Sequence, residues 1–253
     1  MNILEKILDV KRKELAGIKQ NLAHIEPFDT LSLKNAISVP NISIIAEIKI
    51  KSPSSGDIMP NADPVLIAKD YESAGASAIS VLTDEQYFGG HIDILESVKQ
   101  VVTIPVLRKD FIIKDYQIAE TASIKADAFL LIAEALSDQN ILDLINFGKE
   151  LDMEALVEFH SEDNLEIISE ISPEIIGVNC RDLKTMETDI TYFGKMAKRL
   201  PVNSVKVAES GITKKDELKY ISDLGYDAAL VGTSLMKTGD PGKALDDLLR
   251  GVV

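Results

Sequence analysis

Eight short apolar runs recur along this chain at the spacing of a strand–helix unit, and this repeat constrains the fold more than any other feature. The runs are nearly continuous in Ile, Val, Leu and Ala, as expected of strands that are buried on both faces. The segments between the runs show helical periodicity. The runs are Ser43–Ile48, Ala78–Leu82, Ile104–Leu107, Ala128–Ile132, Ala155–Phe159, Ile175–Val178, Ser204–Ala208 and Ala228–Val231.

Capping residues mark where several of the intervening helices begin and end. Asp63 and Asp240 are each followed by proline, the arrangement of an N-cap and a first helical residue. Thr213 and the aspartate three residues later resemble a capping box, and Gly75 and Gly225 are helix stops. Strands that alternate with helices in this way predict an α/β fold, a parallel (β/α)8 TIM barrel. An open doubly wound sheet is the alternative, but no G-x-G-x-x-G motif follows the first run.

The residues before the first run predict a helical extension in front of the barrel. Ile3–Lys19 alternates apolar and charged residues with amphipathic spacing, and it is too charged for a signal peptide. We therefore expect one domain, with an N-terminal helical extension over residues 1–40 and the barrel over residues 41–253. The chain ends at Val253, shortly after the eighth helix, and this predicts a single activity.

Composition limits the partners and the compartment. The formal net charge of −14 argues against nucleic acid, because phosphate backbones are bound by clustered Lys and Arg. No apolar run approaches the roughly 20 residues of a membrane span, so no membrane partner is expected. The single cysteine, Cys180, suits a reducing compartment and predicts a cytoplasmic protein. We expect a monomer, with a weak homodimer as the alternative.

Polar residues directly follow six of the eight runs, at the ends where such barrels carry their chemistry. Glu47 and Lys49 are two residues apart and so point to the same side of an extended chain, and Asn179 and Arg181 repeat this arrangement. A cluster of such charges at the barrel mouth either pairs internally or binds a charged ligand, because isolated buried charges are costly. The charged residues that would converge there are Glu47, Lys49, Lys109, Glu158 and Arg181.

The loops after the seventh and eighth runs predict a phosphate site. In each loop a glycine lies beside a hydroxyl residue, in Ser210-Gly211 and in Gly232-Thr233-Ser234. Backbone N–H groups and a helix N-terminus commonly hold phosphate at this position of a barrel. The sequence therefore predicts a phosphorylated small-molecule substrate.

Six segments together resemble the indole-3-glycerol-phosphate synthase family. The first, Ile44–Ser54, reads IIAEIKIKSPS and closely resembles the signature of that family. The others follow in the family's order along nearly the whole chain, and the charged helix before the barrel is also similar to the family's pattern. They are Val106–Phe111, Leu156–Glu158, Val178–Leu183, Val207–Ile212 and Leu230–Met236.

This resemblance implies a carboxy-lyase of tryptophan biosynthesis. The implied reaction closes, decarboxylates and dehydrates 1-(2-carboxyphenylamino)-1-deoxyribulose 5-phosphate to indole-3-glycerol phosphate, carbon dioxide and water. No metal or organic cofactor is implied. Ring closure needs an acid that protonates the ribulose carbonyl, and Lys109 matches the family's general acid.

The resemblance also implies roles for the other candidate residues. Besides Lys109, the residues implied to be catalytic are Glu47, Lys49, Glu158, Asn179 and Ser210. Orientation of the substrate, including its carboxylate, is implied for Arg181, Ser52 and Pro53. Phosphate binding is implied for Gly211, Gly232, Thr233 and Ser234. The aromatic pocket is implied to consist of Phe88, Phe111, Leu131 and Leu183, with ordinary packing as the alternative.

Two residues depart from the family pattern, and two other functions are alternatives. Ser55 stands before Gly56 where the family usually has lysine, and Cys180 stands where asparagine is common. One rival is a related barrel such as phosphoribosylanthranilate isomerase, which is not expected to show this order of acidic and basic residues. The other is a non-catalytic phosphate-binding barrel, and the intact acid–base set argues against it.

Overall fold

A computed structural model describes residues 2–16, 28–182 and 185–251, and eight parallel strands close into a barrel within this part of the chain. Each strand pairs with its neighbours in sequence, and the last strand closes onto the first through the pairs Ser43–Ala228 to Ala46–Val231. The predicted (β/α)8 barrel is therefore confirmed. The strands are β1 (Ser43–Ile48), β2 (Ala78–Leu82), β3 (Val106–Lys109), β4 (Ala128–Ile132), β5 (Glu154–Phe159), β6 (Ile175–Asn179), β7 (Val205–Glu209) and β8 (Ala228–Val231).

The third strand departs most from its predicted bounds. It begins at Val106 rather than Ile104 because Pro105 has no N–H to donate, although its carbonyl accepts a bond of 2.9 Å from Ile79 N. The strand also continues through Arg108 and Lys109, two charged residues that find buried partners. The other strands begin and end within one residue of the prediction.

Helices surround the barrel and punctuate its loops. Asp63 and Asp240 cap their helices as predicted, with Asp63 accepting bonds of 3.0 and 3.1 Å and Asp240 one of 3.1 Å. The capping box predicted at Thr213 is wrong, because Glu217 reaches back to the N–H groups of Thr213 and Lys214 and the helix starts at Lys215. The helices are α1 (Ile3–Ala16), α2 (Leu33–Ile37), α3 (Pro64–Ser73), α4 (Glu85–Phe88), α5 (Ile92–Lys99), α6 (Asp115–Ser123), α7 (Asp138–Glu150), α8 (Leu165–Ile171), α9 (Tyr192–Met196), α10 (Lys215–Asp223), α11 (Thr233–Met236) and α12 (Pro241–Leu249).

The two helices before β1 cover opposite ends of the barrel. On α2, Leu33 and Ile37 are fully buried against inward-facing strand residues near the amino ends of the strands. On α1, Ile3 and Ile7 face the cavity at the carboxyl ends. The last three residues of the predicted first helix, 17–19, lie outside the described residues.

Two apolar layers follow from the alternation of side chains along each strand. One layer fills the barrel, and the other lies between the sheet and its surrounding helices. Among the described residues, no helix is both long enough and apolar enough to cross a membrane.

Candidate active site

A cavity of about 590 Å³ opens at the carboxyl ends of the strands, within the size range of small-molecule sites. Its floor and walls come from all eight strands and from the loops that follow them. The strand residues that line it include Glu47, Leu82, Lys109, Ile132, Glu158, Asn179, Glu209 and Leu230. The described structure therefore brings the predicted catalytic residues into one volume.

Lys109, at the end of β3, lies at the centre of the polar cluster. Its Nζ is 2.8 Å from Oε2 of Glu158 and 3.3 Å from Oε2 of Glu209. The other oxygen of Glu158 accepts a bond of 2.8 Å from the amide of Asn179. Four strands, β3, β5, β6 and β7, thus place a cation, two acids and an amide within hydrogen-bonding reach.

The protonation states of this cluster follow from burial and charge. Burial alone would lower the pKa of Lys109, but the carboxylates of Glu158 and Glu209 outweigh it and hold this pKa above its ordinary value. Burial would raise the pKa of Glu158, but Lys109 and the amide of Asn179 hold it below its ordinary value. At neutral pH, Lys109 is therefore charged and Glu158 is ionised, so the first can donate a proton and the second can accept one.

Glu209 belongs to the site although no role was predicted for it. Burial, and next the charge of Glu158, raise the pKa of Glu209 well above its ordinary value, and the two carboxyl groups share a hydrogen bond. Gly177 makes room for it, because a Cβ on that glycine would lie 2.1 Å from Oε1 of Glu209. The sequence held one signal for this residue, because Glu209 directly follows the seventh apolar run as Asn179 follows the sixth. The structure pairs these two residues on neighbouring strands.

Glu47 and Lys49 form an ion pair at the end of β1. Glu47 is 2 % exposed, and it packs against Gly232 so closely that a Cβ there would lie 2.5 Å from its Oε1. The missing side chain at Gly232 therefore serves two purposes, because it leaves space for Glu47 and opens the loop backbone towards the cavity.

Arg181 and the loop after β1 form the rim of the cavity. The N–H of Arg181 donates to Oδ1 of Asn179 over 3.0 Å, and its guanidinium donates to the carbonyl of Met186 over 3.4 Å. Ser52 and Pro53 line the cavity from a short hairpin that pairs Lys51–Ser52 with Gly56–Asp57. The predicted orienting residues thus surround the mouth rather than the floor.

The two predicted phosphate loops lie side by side. Ser210 and Gly211 both adopt left-handed backbone conformations, with φ of 71° and 73°. Ser210 is not a glycine, so this conformation is strained. Thr233 and Ser234 begin α11, whose first N–H groups have no partners within the helix, and the Ser234 hydroxyl joins the loops by donating 2.9 Å to Ile212 O.

The aromatic pocket needs one correction. Phe88 and Phe111 line the cavity with their ring centroids 6.0 Å apart. Leu131 does not line it, because side chains alternate along β4 and Leu131 points to the helices. Its neighbours Leu130 and Ile132 face the cavity instead. Leu183 lies outside the described residues.

The first helix supplies a wall that the sequence did not assign to the site. Ile3, Leu4 and Ile7 of α1 line the cavity opposite the strand ends. The amphipathic pattern predicted a helix that packs on the barrel, but it carried no information on which end the helix covers.

Comparisons with known proteins find similarity along nearly the whole chain. The family model described as indole-3-glycerol phosphate synthase matches residues 4–248. An indole-3-glycerol phosphate synthase of Geobacillus sp. (strain WCH70) is 46% identical over 99% of this chain and 98% of its own length. Another, from Halalkalibacterium halodurans, is 44% identical over 98% and 97%. The fold is also similar to 3-hexulose-6-phosphate synthase from Salmonella typhimurium, with a TM-score of 0.65 at 12% identity over 84% of this chain and 100% of that one.

Proposed function

This chain belongs to the indole-3-glycerol phosphate synthase family, and we propose that it converts 1-(2-carboxyphenylamino)-1-deoxyribulose 5-phosphate to indole-3-glycerol phosphate, carbon dioxide and water. The observation that best supports the proposed chemistry is the arrangement of charged side chains around Lys109. Lys109 lies on the floor of the cavity between two buried glutamates, Glu158, whose pKa is lowered, and Glu209, whose pKa is raised.

Lys109 performs the first proton transfer. As a carbon of the aromatic ring attacks the ribulose carbonyl, the carbonyl oxygen takes a proton from Nζ and becomes a hydroxyl. The new carbon–carbon bond leaves the ring without its aromaticity. Loss of the carboxylate as carbon dioxide returns the electron pair of the broken bond to the ring and restores it.

The second half of the reaction removes water. The new hydroxyl leaves as water after it accepts a proton from Lys109, and a proton from the carbon beside the nitrogen must go to a base. Glu158 is the base, because it is ionised and already 2.8 Å from the lysine that opened the reaction. Between the two steps Glu209 returns a proton to Lys109 across 3.3 Å. After dehydration Glu158 passes its proton to Lys109 and solvent protonates Glu209, which supplies the one proton that the overall reaction consumes. The ion pair of Glu47 and Lys49 assists the second step.

Substrate binding divides between the two sides of the cavity. Gly211, Gly232, Thr233 and Ser234 hold the phosphate through their backbone N–H groups, and the Ser210 hydroxyl donates to the sugar. Phe88 and Phe111 enclose the aromatic ring on the opposite side. Arg181 binds the carboxylate that is lost, because a guanidinium matches its planar geometry, and Ser52 and Pro53 close the rim.

The remaining proposals concern the whole protein. We propose one domain, with the helical extension over residues 1–40 and the barrel over 41–253, that acts as a monomer. We also propose a cytoplasmic location, and the sole cysteine supports it, because Cys180 is buried and its thiol is free.

Indole fluorescence tests the proposed function directly, because the chain contains no tryptophan of its own. Purified protein mixed with the carboxyphenylamino-deoxyribulose phosphate should give a rising indole signal. Lys109→Ala should lower turnover by about 10²–10⁴-fold, as loss of a general acid does.

The matched control is Lys198→Ala, an exposed lysine away from the cavity, which should retain wild-type turnover. A Lys109→Ala variant with more than about half of the wild-type rate would remove Lys109 from the general-acid role. Saturable binding of the substrate without any indole signal from the wild-type protein would point to a non-catalytic barrel.

A further inference from the structure

Lys11, in the middle of α1, is a buried cation that the reaction above does not use. It is 5 % exposed, and its Nζ lies 3.1 Å from Oδ1 of Asp110 and 3.2 Å from Oδ2 of Asp84. Both aspartates are buried, and they follow different strands, β2 and β3. A third contact, 3.0 Å to Glu14, stays on the same helix. Lys11 therefore joins α1 to two separate loops of the barrel.

Each of the two aspartates fixes one aromatic wall of the cavity. Asp84 caps α4 by accepting 2.8 Å from Tyr87 N, and α4 ends in Phe88. Asp110 accepts 2.8 Å from the N–H of Phe111. The second oxygen of Asp110 accepts from Thr83 over 2.7 Å and from Arg108 over 3.1 Å. Both oxygens of Asp110 thus accept hydrogen bonds, whereas the buried Oδ2 of Asp84 accepts none among the described residues and has Lys11 as its charged partner.

The third wall belongs to the helix that carries the lysine. Leu4, Ile7 and Lys11 are spaced at three and four residues, so they form one buried stripe on α1. Leu4 and Ile7 line the cavity. Lys11 therefore lies on the helix that supplies Leu4 and Ile7, and its ammonium contacts the two aspartates that position Phe88 and Phe111. These are the three walls of the pocket for the aromatic ring.

We infer that Lys11 is a positioning residue that sets the shape of the pocket for the aromatic ring of the substrate. This inference rests on the proposed function and adds a specificity determinant to it. Lys11 is charged in the folded protein: burial alone would lower its pKa, but Asp110 and Asp84 outweigh that effect and raise it. The phosphate loops lie across the cavity and make no contact with this ion network among the described residues.

Substitution of Lys11 should weaken the binding of the aromatic ring and leave the binding of the phosphate unchanged. Lys11→Met keeps the length of the side chain and removes its charge. It should raise the KM for the substrate by about tenfold or more while kcat falls by less than about threefold, because the lost interaction shapes binding rather than proton transfer. The inhibition constant of inorganic phosphate, measured as a competitor, should stay within about twofold of wild type.

Two further variants keep this test decisive. Lys13→Met, on the exposed side of the same helix, should leave KM, kcat and phosphate inhibition unchanged. Asp84→Asn keeps an oxygen to cap α4 and loses only the charge that faces Lys11. It should raise KM in the same direction by about threefold, and it replaces Lys11→Met if that variant does not fold.

The outcomes are distinguishable. A rise in KM without a rise in the phosphate inhibition constant supports the inference. An unchanged KM, or an equal rise in both constants, overturns it and leaves the proposed function standing. Absence of turnover by the wild-type protein overturns the proposed function, and this inference falls with it.

Discussion

The two ends of this barrel use buried charge in opposite ways. At the amino ends of the strands, Asp127 accepts from the N–H groups of Leu31 and Val106 over 2.8 and 2.7 Å and from Lys99 over 2.6 Å. Glu154 accepts 2.7 Å bonds from the Ser32 hydroxyl and from Lys34 N. These carboxylates fasten the segment around α2 to the barrel, and each of their four oxygens accepts at least one hydrogen bond.

The carboxyl ends of the strands hold a crowded and incompletely neutralised cluster. Glu158 and Glu209 share one lysine and a hydrogen bond, and Oε1 of Glu209 is buried with no hydrogen-bond partner among the described residues. Such groups cost stability, and they are retained where protons must move. The same residue types therefore stabilise the fold at one end of the barrel and serve chemistry at the other.

The largest change in stability is expected from removal of a carboxylate at the amino ends of the strands. Asp127→Ala leaves two backbone N–H groups and a lysine without their acceptor, so the free energy of unfolding should fall by about 3 kcal/mol. Thermal unfolding followed by circular dichroism should show a midpoint lower by about 6–12 °C. The kcat/KM of the folded protein at 25 °C should stay within about twofold of wild type.

Asp223→Ala is the matched control, because its carboxylate pairs with Lys219 on the exposed surface. That substitution should change the free energy of unfolding by less than about 0.5 kcal/mol. A fall in kcat/KM of about tenfold or more in folded Asp127→Ala would show that the two ends are not separable.

A second test concerns the protonated acid at the catalytic end. The raised pKa of Glu209 means that the folded state holds a proton that the unfolded chain releases above the ordinary value of 4.5. Stability from this group is therefore lost as pH rises through that window, by at most about 1.4 kcal/mol per pH unit. Glu209→Gln is neutral at every pH, so its free energy of unfolding should lack this downward slope.

Denaturant unfolding of both proteins between about pH 5 and 8 measures the difference in slope. Glu166→Gln, on an exposed helix surface, should keep the slope of the wild-type protein. Parallel curves for Glu209→Gln and wild type would mean that Glu209 is ionised in the folded state.

The smallest effect is expected from relief of backbone strain. Glycine tolerates the φ of 71° at Ser210 without steric cost, so Ser210→Gly should raise the free energy of unfolding by about 0.5–1 kcal/mol. Turnover should fall by about 2–10-fold, because the substrate loses one hydrogen-bond donor. A stabilised variant with full activity would remove the Ser210 hydroxyl from the mechanism.

Ser172→Gly provides the control for that substitution. Ser172 has a φ of 47° at the end of α8, away from the cavity. It should gain stability in the same way while its turnover remains that of the wild-type protein.

Features that depend on neighbouring residues could be predicted from the sequence. The apolar runs located all eight strands, because a strand buried on both faces needs apolar side chains at every position. The caps at Asp63 and Asp240 are as predicted, since a cap acts on residues two or three positions away. The polar residues at the strand ends also predicted the position of the cavity, which is lined by Glu47, Lys109, Glu158 and Asn179.

Features that depend on distant residues could not be predicted from the sequence and required the tertiary structure. Leu131 and Ile132 are equally apolar, so only strand pairing and barrel closure decide which of them faces the cavity. The raised pKa of Glu209 depends on burial and then on Glu158, 51 positions earlier in the chain, and Lys11 contacts Asp110 across 99 positions. The strands, their order along the chain and the residue types at their ends could be predicted from the sequence, because these properties are local. Charge states and the position of the first helix required the folded chain, because electrostatic and packing energies depend on distances in space.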